Sequence, residues 1–178
     1  MNEKILVVDD EKSLLKSIEE TLSEEGYDVT TTGYSHEALN IIKNEFFDLI
    51  VMDIRMPGMD GISLLKEIRK VQDEDNKSRV ILITAYASED APIKAIKLGA
   101  DDYLMKPFEL EDFLHSVKRN LRISRLERER NESLEQLEEL HTKYKNLVGS
   151  LSKVVWLKTK DKDLEKKVRE ILKNYEKA

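Results

Sequence analysis

The sequence predicts an α/β protein: a five-stranded parallel sheet, doubly wound with helices on both faces, followed by a long C-terminal helical extension. Three observations carry this. Short aliphatic runs alternate with amphipathic stretches up to residue 108. All three prolines (Pro57, Pro92, Pro107) and five of the six glycines precede residue 108. From Phe108 to Val148 there is neither Gly nor Pro, and Glu, Lys, Arg and Leu dominate. The shift in composition sets a boundary near residue 122. The expected parts are a domain over 1–122, a long helix over 109–150 continuing from it, and a tail over 151–178.

Each element has its own signal. Lys4–Val8 is a short buried strand by its aliphatic run. Ser13–Glu25 is a helix with Leu14, Leu15, Ile18 and Leu22 on one face, closed by Gly26. Tyr27–Thr31 is a strand of β-branched and aromatic residues. Ser35 is the expected cap of a helix holding Ala38, Leu39, Ile41 and Ile42. Asp48–Met52 is a strand; Pro57-Gly58 and Asp60-Gly61 mark a loop. Ile62–Lys70 is a helix, Val80–Ile83 a strand, and Glu89–Leu98 a helix ended by Gly99. Asp102–Met105 is the fifth strand, and Phe108 begins the last helix. Right-handed crossovers leave few arrangements. The expected strand order is 2-1-3-4-5, with a ligand crevice beyond the carboxyl ends of strands one and three.

Composition narrows the function. The chain has 178 residues, 37% of them charged, and a net charge of -6. An acidic balance argues against a sequence-independent grip on nucleic acid. No cysteine is present, which excludes disulfides, thiol catalysis and zinc thiolate sites. The apolar run at the start is too short for a signal peptide or a membrane span. The expectation is a cytoplasmic protein that does not meet a membrane.

Strand one runs into Asp9 and Asp10, and strand three into Asp53. In the expected order those strands are neighbours, so three carboxylates converge. Like charges so close repel and raise one another's pKa. A hard divalent cation removes the conflict, and Mg²⁺ is favoured for its oxygen ligands, its retained waters and its habit of sharing phosphoryl groups. Thr84 follows strand four and offers a hydroxyl; Lys106 follows strand five and offers a compact cation. Together they compose a phosphoryl-binding set. None of His36, His115 and His141 sits at a strand end. The available nucleophile is therefore a carboxylate, with Asp53 central.

Residues 1–122 resemble the receiver domain of two-component response regulators. The matching strings are ILVVDDE (5–11), DLIVMDIRMPGMDG (48–61), ILITAYAS (81–88) and GADDYLMKPF (99–108). The resemblance implies a flavodoxin-like fold and makes Asp53 the phosphoacceptor, modified by a histidine kinase. It makes Asp10 a Mg²⁺ ligand with Asp9 helping, and the backbone carbonyl of Arg55 a further ligand. Thr84 and Lys106 would hold phosphoryl oxygens. Tyr103 would be the switch aromatic that turns inward with Thr84; the plainer alternative is a half-buried strand tyrosine. Lys106-Pro107 matches a cis peptide. Arg55 and Tyr86 would flank the path of attacking water and shield the phosphoryl group. Self-phosphorylation and self-dephosphorylation would be the only chemistry.

Beyond the domain, positions 123, 126, 130, 133, 137, 140, 144, 147, 151 and 154 alternate steps of three and four, and eight of the ten are apolar. That is a heptad seam. It predicts a parallel homodimer through residues 119–154, with the receivers also meeting through their fourth and fifth helices. There, Lys97, Lys118 and Arg119 would pair with Asp101 and Asp102 across the interface. The basic run from Lys118 to Arg130 is interleaved with Glu127 and Glu129 and lacks stacking aromatics, so no direct nucleic-acid binding is expected. Gly149-Ser150 is expected to interrupt the helix. Residues 143–163 loosely resemble the start of a PAS sensory domain, with VVWLK as its first strand, and Asp163 as the cap of a short amphipathic helix. YKNLVGS weakly resembles the join before the ATPase domain of enhancer-binding activators, but no phosphate-binding loop follows.

Two rival classes stand beside this reading. A Mg²⁺-dependent phosphohydrolase with an aspartyl-phosphate intermediate needs a second acid two residues after its nucleophile, where this chain has Arg55. A DNA-binding transcription regulator would need residues beyond this receiver and linker.

Overall fold

The computed structural model describes residues 2–72, 77–85, 96–97, 99–159, 162–164, 166–167 and 170. The elements are β1 (Lys4–Val8), α1 (Lys12–Glu24), β2 (Asp28–Thr32), α2 (Ser35–Asn44), β3 (Leu49–Asp53), α3 (Gly61–Val71), β4 (Arg79–Thr84), β5 (Asp102–Met105) and α4 (Leu110–Thr159). All strands pair in parallel in the order β2-β1-β3-β4-β5, as expected. The chain forms two compact units, Met1–Arg128 and Glu129–Ala178. Among the described residues no helix is long and apolar enough to cross a membrane.

The central strands β1, β3 and β4 are buried on both faces and are apolar almost throughout, whereas the edge strands β2 (DVTTT) and β5 are more polar and only partly buried. Alternate residues serve opposite layers. Leu6, Val8, Ile50, Met52, Val80 and Leu82 pack against α2 and α3 through Ala38, Ile42, Leu64, Leu65 and Ile68. Ile5, Val7, Leu49, Val51, Ile81 and Ile83 pack against α1 and α4 through Leu15, Ile18, Leu22, Phe113, Val117 and Leu121. Gly26 closes α1 at φ 91°, in the left-handed region that favours glycine.

Some local expectations fail. Ser35 does not cap α2: Tyr34 is the cap, and the Ser35 hydroxyl donates instead to the Met59 carbonyl at 2.5 Å. The hydroxyl is buried beside the loop before α3, so a tertiary partner outcompetes the helix end. Asp60 is the true side-chain cap, accepting from the Ser63 N–H of α3 at 2.6 Å. Gly149-Ser150 does not break α4. One interior glycine costs a helix only about 1 kcal/mol, and the Ser150 hydroxyl folds back onto the Asn146 carbonyl at 2.9 Å. VVWLK (154–158) is accordingly helical, not a strand. Asp163 lies among the helical residues Lys162–Leu164 rather than at their start; most of the expected tail helix lies outside the described residues. So do Tyr86 and nearly all of the expected helix Glu89–Leu98, of which Ile96 and Lys97 are helical.

Asp101 and Asp102 find their partners inside the chain. Asp101 pairs with Arg69 at 3.2 Å and Arg79 at 3.0 Å. Asp102 accepts from Ser116, Arg119 and Asn120 of α4, and Lys118 pairs with Glu25. Within one chain, then, Asp101 ties β4 and α3 to the start of β5, and Asp102 ties β5 to α4.

Candidate functional site

The site lies where β1 and β3 end side by side. Asp53 is the last residue of β3, and Asp9 follows β1 directly. Both are buried, 5% and 3% exposed, although an isolated buried carboxylate is costly. Lys106, immediately after β5, resolves the conflict. Its Nζ lies 2.7 Å from Asp9 Oδ2 and 3.1 Å from Asp53 Oδ1. The Lys106 backbone N–H donates to the Thr84 carbonyl at 2.8 Å, tying the end of β5 to the end of β4. Lys106-Pro107 is a cis peptide.

Local turns aim the carboxylates. The Glu11 N–H donates to Asp9 Oδ1 at 2.9 Å, and the Arg55 N–H donates to Asp53 Oδ2 at 2.5 Å. Burial pushes the Asp53 carboxyl above the usual carboxylate range. The Lys106 ammonium and the Arg55 N–H pull against that, and the Asp9 charge adds to it. Burial would lower the Lys106 ammonium, but Asp9 and Asp53 outweigh it and raise its pKa, so it stays charged.

The expected residues do not all converge. Asp10 is exposed at the rim. It lines a cleft of about 530 Å³ with Ile54, Arg55, Met56, Pro57, Asp60 and Ile62. Thr84 is fully buried, and Tyr103 is half-buried against the core under α2 and α3. Among the described residues, no three Asp, Glu, His or Cys side chains draw together as a metal cage. The side-chain oxygen donors are two inner carboxylates and a third at the rim. A hard cation that keeps several waters fits such a set, and Mg²⁺ is one.

Sequence reasoning missed Gly61. A Cβ there would lie 2.2 Å from the Asp53 carbonyl oxygen and 3.0 Å from Ile54 Cα, so α3 starts directly against the backbone that carries Asp53. The Asp60-Gly61 pair was the available signal, but it reads equally as a simple turn.

Comparison with known proteins agrees with this geometry. Residues 5–118 match the family model of the response regulator receiver domain. The probable transcriptional regulator ycf27 of Porphyridium aerugineum is 43% identical over 122 residues, covering 67% of this chain and 49% of that protein. The chain thus spans about half the length of that curated relative. The CheY-like receiver domain protein of Methanospirillum hungatei JF-1 superposes with a TM-score of 0.66 at 35% identity, covering 71% of this chain and 99% of that one. The beryllofluoride-activated NtrC4 receiver domain dimer gives 0.63 at 41% identity, covering 68% and 98%. With more than half its length matched by the receiver model, and with the strand order and carboxylate pair that go with it, this chain belongs to the response regulator receiver family of two-component systems.

Proposed function

We propose that Asp53 accepts a phosphoryl group from the phosphohistidine of a partner histidine kinase. A carboxylate oxygen of Asp53 attacks phosphorus in line. The P–O bond forms as the P–N bond breaks, and the imidazole nitrogen leaves with the electron pair and takes a proton from solvent. The observation that carries this reading is the Lys106 ammonium bridging Asp9 and Asp53 at 2.7 and 3.1 Å, a fixed cation where phosphoryl charge would arrive.

Asp9, Asp10, Asp53 and the Arg55 carbonyl would hold Mg²⁺, which when bound neutralises phosphoryl oxygens. Lys106 and the Thr84 hydroxyl take the remaining oxygens. Thr84 is buried beneath the site, so reaching a phosphoryl oxygen requires it to move, and Tyr103 is the aromatic that would turn into the space it leaves. That two-position arrangement is the switch. Arg55 screens the acyl phosphate from water. The protein works in the cytoplasm, turns over no external substrate, and passes the change to a parallel homodimer through residues 119–154. The receiver proper is residues 1–122.

With Mg²⁺ and a small acyl phosphate donor, mass spectrometry should find one added phosphoryl group, absent from Asp53→Asn because an amide is a poor nucleophile. Equal labelling of the Asn variant would remove Asp53 from this role. Asp10→Ala should weaken Mg²⁺ binding in a direct titration. A second reading, that this is the receiver and linker of a larger transcription regulator, is favoured by the description of the ycf27 relative and the half of its length matched here. Finding a DNA-reading module on the natural product would establish it.

A further inference from the structure

Helix α4 has two faces with different fates. Up to Arg128, one face is buried on the receiver: Phe113, Val117, Leu121 and Ser124 are each at most 3% exposed. Arg128 continues that face and reaches the Asp48 carboxylate at 2.5 Å. Ile123 and Leu126 lie on the opposite face, and Leu126 is 52% exposed. From Glu129 onward the same heptad row stands in solvent, with Leu137 62%, Leu140 64% and Leu147 59% exposed. A helix with so regular an apolar stripe gains its stability from packing rather than from propensity. The inference that follows rests on the reading that a second copy covers this row.

One seam position is anomalous. Arg130 occupies an a position, followed by Ser133 at d. Within one chain its guanidinium reaches the next side chain, Asn131 Oδ1, at 3.0 and 3.3 Å, and stands in solvent. In a two-stranded coil an a-position side chain enters a hole formed by four residues of the facing helix. The hole facing Arg130 in a parallel, in-register pair is bordered by position 129, and that residue is Glu129. An antiparallel pair cannot match this. It would set Arg130 against the far half of the seam, and residues 140–160 contain no Asp or Glu at all. A guanidinium turned into a seam without a carboxylate is strongly disfavoured.

We propose that Arg130 of each copy pairs with Glu129 of the other, and that this reciprocal ion pair sets a parallel, in-register assembly of two chains. Two such pairs form per assembly by symmetry. The pair weakens the seam relative to leucine but allows one register and one orientation, as single polar a residues do. Ser133, one layer on, leaves room for the two long side chains to cross.

The test is a charge swap in the full chain. Glu129→Arg and Arg130→Glu should each weaken self-association at least tenfold by sedimentation, because each faces like with like. Mixing the two variants should restore wild-type affinity as a heterodimer, and so should the double swap in one chain. Labelling of Asp53 at the wild-type rate would show that every variant is folded. Because the chain has no cysteine, Leu140→Cys introduces a single thiol, which should cross-link under oxidation only if the copies are parallel and in register. A wild type that stays monomeric at tens of micromolar overturns both the two-copy reading and the ion pair. A wild-type dimer indifferent to the single variants, or unrescued by mixing, overturns the pair alone. A four-chain species, with Leu134 and Val148 widening the stripe into a bundle core, also overturns it.

Discussion

At the scale of single residues, Asp53 is held by contacts that its own strand does not supply. Gly61 is one. The three nearest atoms that a Cβ would meet are all backbone, at 2.2, 3.0 and 3.1 Å, so none can swing aside. Gly61→Ala should therefore destabilise the domain by roughly 1–3 kcal/mol, the usual cost of overpacking. It should also slow labelling of Asp53, because the shift falls on the Asp53-Ile54 backbone. Thermal unfolding and a labelling time course check both parts; an unchanged melting temperature would show that α3 can retreat freely. Gly58 is the contrast. Its φ of 83° makes any other residue strained, but nothing lies within 4 Å, so its loss should leave the site geometry intact.

At the scale of elements, β5 is tied to α4 through one carboxylate. Burial alone would raise the Asp102 carboxyl. The Ser116 hydroxyl, the Tyr103 N–H and the Arg119 guanidinium outweigh it and hold the carboxyl below the usual range. A depressed folded pKa stabilises the fold above the unfolded value, about 3.9 for Asp. That contribution is lost as pH falls through the lower folded value. Asp102→Asn should thus cost stability at pH 7, by about 1–3 kcal/mol for a charge-assisted hydrogen-bond cluster. The gap from wild type should narrow steadily below about pH 4. Urea unfolding at neutral and acid pH measures it, and a gap constant with pH would mean that Asp102 acts by packing and not by charge. The pocket of about 470 Å³ beside it, lined by Asp102, Phe108, Asp112, His115 and Arg119, should loosen in the same variant.

At the scale of the whole molecule, the domain boundary matters. The composition shift points to residue 122, while the compact unit reaches Arg128. The intervening turn is not ornamental. Ser124 is 3% exposed, Arg79 reaches Glu127 at 3.2 Å, and Arg128 meets the buried Asp48. A fragment ending at Arg128 should unfold at higher denaturant than one ending at Arg122, by about 1–3 kcal/mol, mostly because Asp48 keeps its partner. Equal midpoints would reduce those ties to exposed ion pairs of little worth. On the proposed assembly, the full chain should dimerise while the fragment 1–128 stays monomeric. Leu137→Asp with Leu140→Asp should dissociate the dimer and leave labelling of Asp53 untouched.

The alternation of strands and helices, the strand order and the strand-end positions of Asp9, Asp53, Thr84 and Lys106 were all determined by the sequence alone. These depend on local periodicity and on the few crossovers a parallel sheet allows, so neighbouring residues carry the information. The heptad row of α4 was legible for the same reason. The tertiary structure decided what local pattern cannot hold. Asp9 and Asp10 are adjacent acids after one strand, yet only Asp9 turns under Lys106, a partner 97 residues away. Ser35 left its helix end for the Met59 carbonyl, and Gly149 stayed inside a helix it was expected to end. Asp102 took Ser116, Arg119 and Asn120 of α4 as partners, 14 to 18 residues along the chain. For Asp9 and Ser35 the choice lay between contacts of similar local worth, and the winner was the one that only the folded domain brings within reach.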